Sequence, residues 1–180
     1  MKRAVFLDRD GVINKAVIRD GKPYPPATLE DFILLPNVIS TALKLRKAGL
    51  LLVVVTNQPD VGTGVQSLEV VEAMHRKLLG EGICDDIRAC YHIDVDNCDC
   101  RKPKPGMLLA AAQKWQIDLT RSFMVGDRWR DIAAGKAAGC YTFFIDYQYR
   151  ERCIAKPDLT VASMQEAGNF ILQNLDHPVA

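Results

Sequence analysis

The sequence predicts an α/β fold: a doubly wound, Rossmann-like parallel sheet with helices on both faces and no separate cap domain. Three observations carry this. Short apolar runs without polar alternation recur along the chain, as strands buried on both faces require. Stretches with apolar residues at helical spacing separate them. Polar, chemistry-bearing residues (Asp8, Thr56, His92, Asp127) stand at or just after the ends of those runs. In such sheets the ligand lies beyond the carboxyl ends of the strands.

Arg3–Leu7 reads as a buried strand ending in Asp8. Asn37–Ala48 is a helix between Pro36 and Gly49. Leu50–Val55 is a second buried strand. Leu68–Leu79 is a helix with Ser67 as N-cap and Gly80 beyond its end. Ile87–His92 is the third strand, and Gly106–Trp115 a helix following Pro103 and Pro105. Ser122–Val125 is the fourth strand, entering Gly126-Asp127. Arg130–Ala138 is a helix stopped by Gly139. Tyr141–Ile145 and Leu159–Val161 are the last strands, and a helix over Met164–Leu175 is expected to cover one sheet edge. Asn14–Leu35 and Pro59–Gln66 are expected as long loops over the strand ends. They are too small for a cap, so the site should be open and covered only by loops. One domain over residues 1–180 is expected, with a metal-binding loop at about residues 90–100.

A hydrophobic fraction of 48%, a charged fraction of 25% and a net charge of +1 fit a globular protein. Without a basic stripe, a nucleic-acid partner is not expected. No apolar run approaches the roughly 18 residues of a membrane span. The apolar run after Met1-Lys2-Arg3 is too short for a signal peptide. A cytoplasmic monomer acting on a small phosphorylated sugar or metabolite is expected, with neither nucleic acid nor membrane as partner.

Asp8-Arg9-Asp10-Gly11, Thr56-Asn57-Gln58, Lys102 and Gly126-Asp127-Arg128-Trp129-Arg130-Asp131 form a set suited to phosphoryl transfer. A phosphate ester is anionic, so an attacking carboxylate needs a cation to screen both charges. Mg²⁺ takes hard oxygen ligands. Asp8 and Asp127 offer side-chain oxygens, and Asp10 a main-chain carbonyl. Asp8 attacks phosphorus and forms an aspartyl-phosphate. Asp10 protonates the leaving oxygen and then activates water. Thr56 and Lys102 hold the non-bridging oxygens, where charge must be stabilised. Gly11 permits close backbone approach to the phosphate. Asp131 is either an acid orienting Lys102 or a metal-bound water, or a first-turn helix acid.

Cys90, His92, Cys98 and Cys100 offer three thiolates and an imidazole within eleven residues. Such a set suits a closed, structural Zn²⁺ site, and the alternative is a group of reduced thiols without metal. Zinc here would order the loop leading into Arg101 and Lys102. His75, at a mostly polar helix position, reads as solvated. Arg150, Glu151 and Arg152 read as a solvated turn, Trp115 as core and His177 as part of a frayed tail. Cys84, Cys140 and Cys153 are scattered.

Asp8-x-Asp10-Gly11, Thr56, Lys102 and Gly126-Asp127-x3-Asp131 resemble, in order, the four motifs of the haloacid dehalogenase superfamily of phosphatases, over residues 3–145. Cys90-Tyr91-His92 and Cys98-Asp99-Cys100-Arg101-Lys102-Pro103 resemble a zinc-bearing branch, the D-glycero-D-manno-heptose-1,7-bisphosphate 7-phosphatases, a pattern shared by histidinol-phosphate phosphatases. The resemblance implies that Cys90, His92, Cys98 and Cys100 bind structural zinc and that Mg²⁺ is the catalytic cofactor. It implies that Arg101 and Arg128 contact substrate, with Gly11 and Asn57 beside them. Thr63 stands where that branch usually carries an arginine, which removes one anion contact.

Overall fold

The computed structural model describes residues 1–151 and 154–175. Arg152, Cys153 and His177 lie outside them. Six parallel strands form one sheet: β1 (Ala4–Leu7), β4 (Leu51–Asn57), β5 (Asp86–Cys90), β6 (Phe123–Gly126), β7 (Tyr141–Ile145) and β8 (Leu159–Val161), in the order β5-β4-β1-β6-β7-β8. Chain order reverses across the β1–β6 pair, which opens a crevice at their carboxyl ends.

The two faces of β1 show why the sheet is covered twice. Val5 and Leu7 join a core with Val38, Ala42 and Leu45 of α1 (Val38–Lys47) and Met74 and Leu78 of α3 (Leu68–Gly80). That core also takes Met164, Ala167 and Ile171 of α6 (Met164–Gln173). Ala4 and Phe6 join the opposite core, with Met107, Leu108 and Ala111 of α4 (Gly106–Trp115) and Ala134 of α5 (Trp129–Ala138). All four β1 side chains are fully buried. At roughly 1.5–3 kcal/mol per large apolar side chain, this central strand is a rigid base for the acid at its carboxyl end.

Several expectations need correcting. Asn14–Leu35 is not a plain loop, because β2 (Val17–Arg19) and β3 (Lys22–Tyr24) pair antiparallel. Asp20 and Gly21 both have positive φ (51° and 74°), so the turn is the type I′ two-residue connection whose twist matches a hairpin. Arg19 lies over the Tyr24 ring at 5.6 Å. Pro59–Gly62 forms a short helix, α2. The third strand stops at Cys90, leaving His92 beyond it, and the last helix stops at Gln173. α6 packs beside α1 and the edge strand β8. Ser67 is at the N-cap of α3 but its side chain makes no capping bond.

His75 is buried rather than solvated. Helical spacing assigns it a polar position, but Arg9, a buried cation just past the end of β1, meets it there. Glu151 is not part of a solvated turn either, since it binds Arg128 and Trp129. Trp115 is half-buried against the α4–α5 core and donates to Asp86 at 2.8 Å. Among the described residues, no helix is long and apolar enough to cross a membrane.

Candidate active site

Asp8 follows β1 directly and is 7% exposed. Asp127 follows β6 and is 1% exposed. Because β1 and β6 are paired neighbours, their end residues meet in the crevice. Thr56 and Asn57 close β4 on the other side of β1. Lys102 is delivered by the chain between Cys100 and α4.

Lys102 is 2% exposed and its Nζ donates to Asp8 Oδ1 (2.8 Å), Asp131 Oδ1 (2.6 Å) and the Val55 carbonyl (2.7 Å). Burial alone would lower this ammonium's pKa, but Asp131 and Asp8 outweigh it and raise it above the ordinary range. Burial and the nearby Asp131 push Asp8 up to about 6, against the pull of Lys102. Burial also raises Asp127, with Asp8 and Asp131 adding repulsion. Full ionisation of these acids is therefore opposed by burial and mutual repulsion, and Lys102 alone does not offset it.

The acids' ligand atoms lie within 4.8 Å of one another. Asp127 Oδ1 is buried and has no hydrogen-bond partner, while Oδ2 accepts from Tyr149 at 2.9 Å. A buried carboxylate oxygen without a donor, beside a second carboxylate, suits a hard divalent cation. Gly11 (φ +90°) lets the Asp127 carboxylate sit this close to the chain: a Cβ there would lie 1.9 Å from Asp127 Oδ2. Likewise, a Cβ on Gly126 would lie 2.1 Å from the Asp131 Cβ, so only glycine lets α5 bring Asp131 under Lys102. Asp131 Oδ2 accepts the Arg128 main-chain N–H at 3.0 Å, fixing the helix start.

Asp10 accepts from Gln58 Nε2 (2.7 Å), Asn14 Nδ2 (2.9 Å) and Arg9. Gln58 also donates to Thr56 Oγ1 at 2.9 Å. With its lone pair engaged, the Thr56 hydroxyl has its proton to offer a phosphate oxygen. The Asn57 amide is occupied at both ends by the Lys102 main chain (3.0 and 3.1 Å), so it holds that lysine in place.

A cavity of about 60 Å³ opens over this floor. Arg128 and Arg130 form its cationic side, and Pro23, Tyr24 and Pro25 of the hairpin lie across it. The site is thus covered by a β-hairpin, not by loops alone. Arg128 is paired with Glu151 (2.6 Å). Arg101 turns to Asp94 (2.7 Å), which also binds Arg130 (3.2 Å).

Cys90, His92, Cys98 and Cys100 come together as a second cluster, with ligand atoms within 4.8 Å of one another. The Cys100 Sγ lies 3.1 Å from Cys90, 3.4 Å from Cys98 and 3.3 Å from His92 Nδ1. A tetrahedron whose centre lies about 2.0–2.3 Å from each ligand atom has edges of about 3.3–3.8 Å. The Cys90–Cys98 (3.7 Å) and Cys90–His92 (3.6 Å) separations match it, and the Cys90–Cys100 contact is slightly shorter. Cys90 is buried, and burial holds its thiol up at about 12; burial opposes Cys98 too, yet the Arg101 main-chain N–H and the Cys100 thiol draw it down to about 7.

Sequence reasoning placed Arg9, Gln58 and Arg130 inside the motifs but gave them no role, and it missed Asn14 and Tyr149 as site residues altogether. Tyr149 belongs to the segment after β7 and reaches Asp127 across 22 positions, a pairing that no local pattern encodes.

A family model of haloacid dehalogenase-like hydrolases matches residues 14–139. The chain belongs to this family. The expected fold and family are therefore borne out. Among curated relatives of this haloacid dehalogenase-like hydrolase, a D-glycero-beta-D-manno-heptose-1,7-bisphosphate 7-phosphatase of Pseudomonas aeruginosa is 38% identical over 158 residues, 85% of this chain and 86% of that one. An enzyme of the same name from Photorhabdus laumondii is 41% identical over 147 residues, 75% of each chain. The crystal structure of a D,D-heptose 1,7-bisphosphate phosphatase from B. bronchiseptica, complexed with magnesium and phosphate, matches with a TM-score of 0.79 at 28% identity. The match covers 97% of this chain and 99% of that one.

Proposed function

We propose that this chain, as one domain, is a magnesium-dependent phosphatase that removes the 7-phosphate of a D-glycero-D-manno-heptose 1,7-bisphosphate. The observation that carries the chemistry is Lys102 clamped between Asp8 and Asp131, beside the unpartnered oxygen of Asp127. The relatives named above favour the heptose substrate over histidinol phosphate. A catalytically silent binding module would lack at least one of Asp8, Asp127 or Lys102, and all three are in place.

Mg²⁺, held by Asp8, Asp127 and the Asp10 carbonyl, would screen the charge between the phosphate and the attacking carboxylate. An Asp8 carboxylate oxygen attacks phosphorus, and the bond from phosphorus to the sugar oxygen breaks. Asp10 gives its proton to that departing oxygen. It then takes a proton from water, whose oxygen attacks the phosphorus and frees Asp8. Lys102 and the Thr56 hydroxyl stabilise the non-bridging oxygens throughout. Arg128 and Arg130, lining the cavity, orient the substrate. Arg101, expected to contact substrate, is outside that lining and is paired with Asp94, through which it is linked to Arg130.

Cys90, His92, Cys98 and Cys100 hold structural zinc, which ties the segment before Lys102. The enzyme works as a cytoplasmic monomer, with no nucleic-acid or membrane partner. The test is phosphate release from the heptose bisphosphate with and without Mg²⁺, with phosphorus NMR to identify the ester cleaved. Absence of Mg²⁺-dependent release, or loss of the 1-phosphate instead, would overturn this reading.

A further inference from the structure

Among the described residues Arg9 is the largest fully buried side chain, and the phosphatase chemistry leaves it without a role. It lies between the attacking Asp8 and the proton-transferring Asp10 in sequence. Its Nε and Nη2 both face the Asp10 carboxylate, at 3.0–3.3 Å. A guanidinium donates only, through a planar fork matched to a carboxylate. The third nitrogen, Nη1, lies 3.3 Å from His75 Nε2. Since Arg9 must be the donor there, His75 is neutral and carries its proton on Nδ1. That nitrogen faces Glu72 at 3.7 Å, and Glu72 accepts from Tyr91 at 2.6 Å. The Phe32 ring covers the guanidinium at 5.6 Å.

The surroundings of Asp10 repeat one theme. Asn14 and Gln58 both turn their NH₂ ends to it, leaving both buried amide oxygens without partners. A buried acceptor without a donor is destabilising. Two such sacrifices around one carboxylate mark a site built to fix its direction.

We propose that Arg9 is a positioning residue for Asp10, and that His75 is the acceptor that keeps Arg9 in register. This rests on the reading of Asp10 as the acid and base of the reaction. The Arg9 fork sets the carboxylate plane. The Asn14 or Gln58 amide, which holds the outer side of each oxygen, must yield for one oxygen to face the leaving group in the first step and water in the second. His75 fixes the fork by engaging the nitrogen that Asp10 does not use.

The test is kinetics of the full chain with Mg²⁺ on two leaving groups, nitrophenyl phosphate and the sugar phosphate. Arg9→Met should lower kcat on the sugar phosphate about 100-fold, with KM within about twofold. On nitrophenyl phosphate, whose leaving group needs no proton, it should give a burst of about one nitrophenolate per site followed by a slow phase, because hydrolysis of the aspartyl-phosphate still needs the base. His75→Gln keeps an acceptor and should retain kcat within about threefold, whereas His75→Leu should lose about tenfold. A purely structural role would reduce both leaving groups alike, give no burst and make Gln and Leu equivalent; that pattern overturns the proposal. If Arg9→Met does not fold, the two His75 variants decide the matter alone. Wild-type protein inactive with Mg²⁺ would sink the underlying reading and this inference together. Active wild type with unaffected variants would sink this inference only.

Discussion

Two clusters of ligand atoms sit at the carboxyl end of the sheet, held in opposite ways. Asp8, Asp127 and Asp131 are all buried, and each is fixed by a strand end, a helix start or the Lys102 clamp. In the thiol cluster only Cys90, at the end of a strand, is buried; Cys98 and Cys100 are half-exposed and His92 is exposed. The carboxylate cluster is assembled by the sheet. The thiol cluster is assembled by a loop whose regular structure is one short 3₁₀ turn, Asp94–Asp96. The first should therefore survive loss of its metal as a fold and fail as chemistry. The second should do the reverse, losing order first and activity only through Arg101 and Lys102.

The comparison breaks most decisively at Asp8. Asp8→Asn should cut kcat by about 10⁵-fold or more while thermal unfolding stays cooperative. Near-normal turnover in that variant would remove the nucleophile from the scheme.

Lys102→Met should cost about 3–5 kcal/mol of stability at pH 8, because it strands Asp8 and Asp131 as unpaired buried charges. Urea unfolding measures this. Millimolar Mg²⁺ should return part of the loss, whereas a loss unchanged by Mg²⁺ would separate the lysine from the cation site.

His75 provides a quieter contrast within the same region. Burial and the adjacent Arg9 lower its pKa from 6.5 to about 4. The unfolded chain then binds a proton that the folded chain excludes. Stability from this group is complete above about pH 6.5 and is lost progressively down to about pH 4. The full span is worth roughly 3 kcal/mol. The difference between wild type and His75→Gln in urea unfolding at pH 7 and pH 5 isolates this contribution. A parallel pH dependence in the two proteins would show that folding leaves the His75 pKa unshifted, and a wild type relatively more stable at pH 5 would show a charged His75 in the fold.

The smallest effect is expected at the loop. Cys98→Ser should lower zinc content measurably by elemental analysis and reduce kcat/KM about tenfold through looser placement of Arg101. Unchanged zinc stoichiometry would dismiss the four-ligand site.

How much was legible depends on how local the cause was. β1 and β4 were legible because an uninterrupted Ala-Val-Phe-Leu or Leu-Leu-Val-Val-Val can only be buried on both sides. The β2–β3 hairpin carried a readable signal, Asp20-Gly21, inside a segment read only as a long loop. Pro23 is tolerated because this two-stranded ribbon has open edges. The burial of His75 was not legible, since its neighbour on α3's inner face is a side chain 66 positions away.

Sequence alone determined the parallel α/β sheet, the acids at its strand ends and the grouping of three thiols with an imidazole, because periodicity and spacing are properties of a segment. Only the tertiary structure decided that Lys102 lies between Asp8 and Asp131, that Tyr149 leaves one Asp127 oxygen unpartnered, and that Arg9 ties His75 to Asp10. Each of those depends on charges buried together from distant segments. Their mutual energies arise only once water has been excluded from between them.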